Sequence, residues 1–340
     1  MNGNALLEVR GLEKRFPVKR QILDVALRKP QELLYAVDKV DLDIFQGETL
    51  GLVGESGCGK STLARTIIRL YKPDGGDVFF DGVNLATMSD RDLRPYRKNL
   101  QMIFQDPYSS LNPRMTVHDT LTEAIWFHRI CGRAQIEKKI KEVMDMVGLT
   151  PDAADRLPSE FSGGQRQRIG IARAIVLYPR IIIADEPVSA LDVSIQAQVI
   201  NLLSDLQSKL NLTMLFISHD LRVVRHIAGR VAVMYLGKII ELSRTEELFT
   251  KPQHPYTDVL LHAEPGLDPR FRSREAAISG EPPSPINLPP GCRFHPRCKY
   301  RGAGCDNREP PLVELSPGHM TACFYPLRRN KEYPLGVLSD

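Results

Sequence analysis

The chain has no apolar run approaching the ~18 residues that a membrane-spanning helix needs. Any passage through a membrane would therefore have to be built by other chains. Its opening residues are mixed and polar, with none of the apolar core of a secretory signal. It lacks a strong charge surplus. A net +4 over 340 residues is modest, gives no reason to expect nucleic acid as a partner, and is met by a surface of mixed sign. It also lacks the C-x-x-C pairs usual in zinc ribbons. What remains is a chain long enough for about two domains and a sizeable core.

The first strong signal is Gly54-Glu55-Ser56-Gly57-Cys58-Gly59-Lys60-Ser61, which fits G-x-x-x-x-G-K-[ST]. The preceding Thr49-Leu50-Gly51-Leu52-Val53 reads as a buried strand, and Thr62 to Leu70 as a helix with Leu63, Ile67 and Leu70 at helical spacing. Strand, glycine loop and helix together make a phosphate cradle. The glycines turn backbone N–H groups inward, and the helix N-terminus adds positive potential. Lys60 can reach the β and γ oxygens of a nucleoside triphosphate, and Ser61 can offer its hydroxyl to Mg²⁺. Cys58 occupies a free position of the loop and reads as a small filler.

A β-branched run, Ile181-Ile182-Ile183-Ala184, ends in Asp185-Glu186 and reads as a buried parallel strand. Ligands of open α/β sheets sit beyond such strand ends. Asp185 is then placed for Mg²⁺, and Glu186 for orienting and deprotonating a water. Taken alone, the pair could equally be the acidic start of a helix. Thr213 to Ser218 is a third strand-like run, ending at His219, whose imidazole could touch a γ-phosphate. Leu100 to Phe104 is a fourth, ending at Gln105. Ser162 reads as the cap of a helix over Gln165 to Leu177, with Gly163 and Gly164 leaving N–H groups open to an anion.

In this order the motifs resemble the ATP-binding subunit of an ABC transporter, over about the first 250 residues. Residues 54–61 match Walker A, 181–186 Walker B with the catalytic glutamate, Gln105 the Q-loop, and Phe161 to Gln165 the signature. Ser189-Ala190-Leu191-Asp192 matches the D-loop, and His219 the switch histidine. The resemblance implies a P-loop (RecA-like) α/β core with an antiparallel β subdomain and a helical subdomain at about 106–165. It implies ATP and Mg²⁺ as cofactors, with the nucleotide touched by residues 54–62, Thr62 included, and by Gln105, Asp185 and Asp192. Phe16 resembles the residue that stacks on adenine, and Tyr35 is a rival. Two such subunits would meet head to tail, Ser162, Gly163, Gly164 and Gln165 of one facing the γ-phosphate held by the other.

Elsewhere, Val40, Leu42 and Ile44 alternate with Asp41 and Asp43, and with Val78 to Phe80 they suggest a small antiparallel sheet. Ile136 to Val147 is amphipathic. Ser194 to Leu210 is a second amphipathic helix, with Ile195, Val199, Leu202, Leu206 and Leu210 on one side. By the resemblance, the helical segment and Tyr108 to Arg114 would lie near membrane subunits; ordinary loop polarity explains the latter equally well.

Composition changes near residue 250. Fifteen of the 25 prolines fall in residues 251–340, and the tail reads as a loop-rich appendix to the ATPase core. It holds Cys292, Cys298, Cys305 and Cys323, with gaps of five, six and seventeen residues. In a reducing compartment disulfides are disfavoured, so the four thiols read as ligands, of an iron–sulfur cluster before zinc. Arg293, Arg297, Lys299 and Arg301 surround them and could offset a cluster's negative charge.

This tail, with Gln253 to Thr257 and Gly280 to Pro285, is similar to the C-terminal region of oligopeptide and dipeptide importer ATPases. That resemblance implies a [4Fe-4S] cluster and the energising of peptide import. The implied partners are a second, related but non-identical ATPase subunit, two polytopic permease subunits and, indirectly, a substrate-binding protein. The implied place is the cytoplasmic face of the membrane, peripherally. The alternatives are import of a nickel chelate, an ABC ATPase acting on ribosomes or DNA, and a cluster-based redox sensor.

Overall fold

The computed structural model describes residues 5–20, 30–263 and 283–327. The expected tail residues Gly280, Glu281 and Pro282 lie outside them. In chain order the elements are β1 (Ala5–Pro17), β2 (Leu33–Phe45), β3 (Thr49–Val53), α1 (Lys60–Ile67), β4 (Gly75–Phe80), β5 (Val83–Asn84), α2 (Asp90–Arg97) and β6 (Leu100–Ile103). There follow α3 (Pro107–Ser110), α4 (Val117–Phe127), α5 (Arg133–Met146), α6 (Gly163–Ile175), β7 (Ile181–Asp185), α7 (Val193–Leu210) and β8 (Thr213–Ile217). The last are α8 (Leu221–Ile227), β9 (Arg230–Tyr235), β10 (Lys238–Arg244), α9 (Thr245–Thr250), α10 (Pro255–Ala263), β11 (Val313–Ser316) and β12 (His319–Thr321). No helix among the described residues is long and apolar enough to cross a membrane. The chain divides into two compact units.

The first unit comprises Met1–Leu7, Ile44–Thr49 and Phe80–Ser218. Its strands β6, β7 and β8 are parallel, with Leu100 opposite Ile181 and Ile181 opposite Thr213. All five residues of β7 are buried, as a strand covered on both faces must be. Each of its isoleucines contributes about 1.5–3 kcal/mol by leaving water. Helix α4 begins in a capping box of Thr116 and Asp119, and α6 in one of Ser162 and Gln165. Helix α7 buries Val199, Ile200, Leu203 and Leu206. That face is turned from the expected one: Leu202 and Leu210 lie at its border, because the more apolar seam runs through Ile200 and Leu203.

The second unit comprises Glu8–Asp43, Leu50–Phe79 and His219–Asp340. Strands β2, β1 and β4 lie side by side in one sheet, with Val40, Leu42 and Ile44 buried and Asp41 exposed as the alternation requires. In the other sheet β3 pairs in parallel with β9, and β9 pairs antiparallel with β10. Beyond β10 comes the tail. Strand β12 pairs antiparallel with β10, Glu241 opposite Thr321, and β11 pairs antiparallel with β12. The tail therefore adds two strands to the sheet that carries the phosphate loop, where the proline-rich sequence suggested an appendage. Its anchor is polar and buried. The Glu241 carboxylate accepts the N–H of Gln253 at 2.6 Å and of His254 at 3.0 Å, and pairs with His319 Nε2 at 2.7 Å. Glu241 and His319 are both fully buried, so each needs the other. An aromatic knot joins Tyr235 to Tyr256 at 4.6 Å and both to Phe294 at 5.5 and 5.4 Å.

Candidate functional site

The phosphate loop lies in the second unit, between β3 and α1. Its glycines are dictated by close approach. A Cβ on Gly54 (φ +154°) would lie 2.2 Å from the Met234 carbonyl oxygen, and one on Gly59 (φ +112°) 2.0 Å from that of Ala36. Helix α1 starts at Gly59 with no side-chain hydrogen bond capping it. Lys60 is buried, and its ammonium donates to the carbonyls of Gly54 (2.8 Å) and Glu55 (3.1 Å). It thus lies folded back over the loop. Burial raises the Cys58 thiol above its ordinary pKa, as suits a filler. Ser56 and Gly57 are exposed, and Ser61 and Thr62 are half-buried in the first turn of α1.

The acid edge lies in the first unit. Asp185 ends β7 and is wholly buried. Glu186 follows with φ +46°, a left-handed conformation rare for a side-chain-bearing residue. Its N–H donates to the Ile217 carbonyl at 3.0 Å, which ties it to the end of β8. Gln105, at the end of β6, donates through Nε2 to Glu186 Oε2 at 2.9 Å. Two residues separated by 81 positions are thus brought together by three adjacent strand ends. The signature turn is in the same unit. Ser162 is exposed, its Oγ accepting the Gln165 N–H at 3.4 Å while Gln165 Oε1 accepts the Ser162 N–H at 3.0 Å. A Cβ on Gly164 would lie 2.4 Å from Ile195, whereas Gly163 has Leu191 no nearer than 3.4 Å. Helix packing thus explains Gly164, and only Gly163 leaves room at the exposed turn. Asp192 is the exposed N-cap residue of α7.

In the second unit His219 is exposed, just before Asp220, which caps α8. Phe16 meets Tyr71 edge-on at 5.4 Å and carries Lys14 over its ring at 5.3 Å. Tyr35 carries Arg15 at 5.0 Å and precedes Ala36, the residue against which Gly59 is pressed.

The four tail cysteines line one small cavity, together with His254, Phe294, His295, Tyr300 and Phe324. All four are free thiols. Burial pushes Cys292 up to about 11 and Cys323 up to about 12, and raises Cys298, with the neighbouring thiols adding to each shift. His254 is buried, held neutral by desolvation with its pKa lowered to about 3. Its Nδ1 accepts the Tyr256 N–H at 3.0 Å, so the proton is on Nε2, which has no partner among the described residues. The His254 Nε2–H is thus an orphaned donor beside four thiols. Among the described residues, no three or more His, Cys, Asp or Glu side chains are gathered to hold a single metal ion. Two of the expected counter-charges are employed elsewhere. Arg293 binds Asp38 and the Leu236 carbonyl, and Arg297 binds Glu55 and Tyr235. Lys299 lies over the Tyr300 ring at 5.2 Å, and Arg301 acts on Cys298. Arg293 and Arg297 are engaged away from the cysteines because each meets an acid brought near only by the fold, whereas Arg301 favours the Cys298 thiolate as its place in the sequence suggested.

Residues 37–189 match the ABC transporter family model, and residues 240–305 match the oligopeptide/dipeptide transporter C-terminal region. The oligopeptide transport ATP-binding protein AppF of Bacillus subtilis is 50% identical over 325 residues, covering 95% of this chain and 98% of its own. A putative peptide import ATP-binding protein of Brucella ovis is 49% identical, covering 95% and 99%. Among solved structures, the dimeric ATP-binding cassette MJ0796 in a post-hydrolysis state with ADP and Pi is 28% identical. Its TM-score is 0.61, covering 70% of this chain and 98% of that one. The cassette cbiO1 of Clostridium perfringens is 26% identical with a TM-score of 0.61, covering 72% and 90%. With likeness running through both the cassette and the tail, this chain belongs to the ABC transporter family of ATP-binding proteins, in its oligopeptide/dipeptide branch.

Proposed function

We propose that the chain hydrolyses ATP and that this powers peptide import through a membrane ABC transporter. The observation that carries the reading is the match at about half identity along nearly the whole of both chains to a protein named for oligopeptide transport. The phosphate loop supports it chemically, since an uncapped helix start beside a buried lysine is built for a polyphosphate. Residues 1–250 form the ATPase and 251–340 the extension, peripheral to the cytoplasmic face of the membrane. The α4–α5 region, with Trp126 and Phe127 exposed, faces two permease subunits.

In this reading residues 54–62 and Lys60 hold the phosphates, and Phe16 or Tyr35 meets the adenine. Ser61, Gln105 and Asp185 are hard oxygen donors that would hold Mg²⁺, which supplies charge neutralisation on the phosphates when bound. Glu186, left-handed in its backbone and held by Gln105, takes a proton from a water as that water attacks the γ-phosphorus. The bond to ADP breaks and phosphate leaves. His219 and the Ser-Gly-Gly cap of a second cassette donate to the charge that develops, while Ser162, Gly163, Gly164, Gln165 and Asp192 of this chain serve its neighbour. That neighbour is a related, non-identical subunit, and a substrate-binding protein delivers the peptide. In the tail, Cys292, Cys298, Cys305 and Cys323 would hold a [4Fe-4S] group, whose chemistry is thiolate-ligated iron and sulfide; an anaerobic preparation free of iron and sulfide would exclude it.

The test is uptake of labelled di- and oligopeptides by cells with and without the chain. Uptake should depend on it, and Glu186→Gln should lower ATP turnover by about 100-fold or more while ATP remains bound. Peptide uptake that is indifferent to the chain, with nickel uptake lost instead, would overturn the peptide assignment.

A further inference from the structure

The second residue of the phosphate loop, Glu55, is anchored through all of its polar groups, and two of the anchors come from the far end of the chain. Its carbonyl accepts from Lys60 at 3.1 Å, within the loop. Its N–H donates to the hydroxyl of Tyr256, 201 positions away, at 2.9 Å. Its carboxylate receives Arg297, 242 positions away, at 3.0 and 3.2 Å. This is no loose surface pair. The Arg297 side chain is 6% exposed and that of Glu55 20%. The same guanidinium nitrogen reaches Tyr235 OH at 3.3 Å, and Tyr256 is wholly buried in the ring cluster of Tyr235 and Phe294. Both anchors are tied to the cysteine cavity. Arg297 immediately precedes Cys298, and Tyr256 donates its N–H to His254 in the cavity wall.

We propose that Arg297 and Tyr256 are positioning residues for nucleotide binding: the C-terminal extension fixes the Glu55 segment so that the loop's N–H groups stand aligned for phosphate before any ligand arrives. The physical ground is pre-organisation. A glycine-rich loop has many conformations to lose, and fixing one of them beforehand raises affinity without adding a contact to the ligand. One guanidinium nitrogen of Arg297 holds both carboxylate oxygens, a charge-assisted contact stronger than one between neutral groups. Neither residue touches nucleotide in this proposal. The consequence is that the tail governs how tightly the cassette grips nucleotide, not how fast it cleaves it.

The proposal rests on reading residues 54–62 as the nucleotide loop, and the experiment separates the two. Binding of a fluorescent ADP analogue and steady-state ATP turnover are measured for the full chain and for R297Q, R297K and Y256F. Melting temperature without nucleotide is recorded for each. R297Q should weaken ADP binding and raise KM by about tenfold or more, with kcat changed by less than about threefold. R297K should recover part of the affinity, and Y256F should lose several-fold. Should R297Q not fold, Y256F alone decides, since it removes one oxygen and keeps the ring. ADP affinity equal to the parent's in the folded variants would overturn the proposal, as would a loss of kcat at unchanged KM. A parent chain that binds no nucleotide would instead overturn the reading of the loop itself.

Discussion

Helix α1 starts at Gly59 with no side-chain cap, whereas α6 starts at Ser162 inside a closed capping box. Both starts are glycine-rich, and both were read from sequence as anion sites, yet they are built in opposite ways. At the first, Gly54 and Gly59 are pressed against backbone carbonyls, Lys60 is buried, and Glu55 is braced by the tail. At the second, Ser162 and Gln165 satisfy one another and face solvent, and only Gly164 is tightly packed. The difference teaches where each finds its ligand. The phosphate loop is completed by its own chain and keeps donors in reserve. The signature turn settles the backbone donors of Ser162 and Gln165 locally, and the Ser162 hydroxyl, whose oxygen already accepts, keeps its proton for use outward.

Breaking the first site should cost most. Gly59→Ala drives a Cβ into the Ala36 carbonyl, and nucleotide affinity measured by calorimetry should fall about a hundredfold, ~2.8 kcal/mol. A variant that binds normally would mean the loop relaxes freely and is not preset. The second site should split into two behaviours. Ser162→Arg should leave nucleotide binding intact and lower turnover by about ten- to a hundredfold, because it acts on a neighbour's nucleotide. Gly164→Ala, aimed at Ile195, should instead lower folding stability by about 1–3 kcal/mol. If both variants merely melt earlier, the turn is a helix start and nothing more.

The smallest effect sharpens the role of the tail. Burial works against a charged His319, but hydrogen bonds and charge from Glu241 and Glu247 outweigh it and raise its pKa above the usual value. Its pairing therefore stabilises fully below pH 6.5 and is lost as pH rises through the raised value. Melting temperature should fall by about 2–4 °C more between pH 6 and pH 9 in the parent than in His319→Gln. Equal slopes would show that His319 does not carry this pH dependence.

Much of this was legible in sequence because its signals are local. The G-x-x-x-x-G-K-S spacing, the run of isoleucines before Asp185-Glu186 and the Ser162 cap each lie within a few residues. What stayed hidden depends on distant chain segments. The packing demand on Gly164 was invisible until Ile195 was placed against it, and Arg293 and Arg297 looked like counter-ions until Asp38 and Glu55 were found beside them. The tail looked detached because prolines dominate it, while the two short strands that dock it, β11 and β12, have only four and three residues. The left-handed Glu186 has no sequence signature, since nothing near it but the fold demands that conformation.

The partnership of residues 55 and 297 also sets a timetable. A ribosome adding about 5–20 residues per second needs roughly 10–50 s to travel the 242 positions between them. For that interval a nascent cassette owns a finished Gly-Lys-Ser turn but not the Arg297 clasp that steadies it. Prematurely ended products would emerge with the recognisable motif and a slack grip, and under the proposed bracing a newborn subunit would hold nucleotide firmly only once Arg297 had been added.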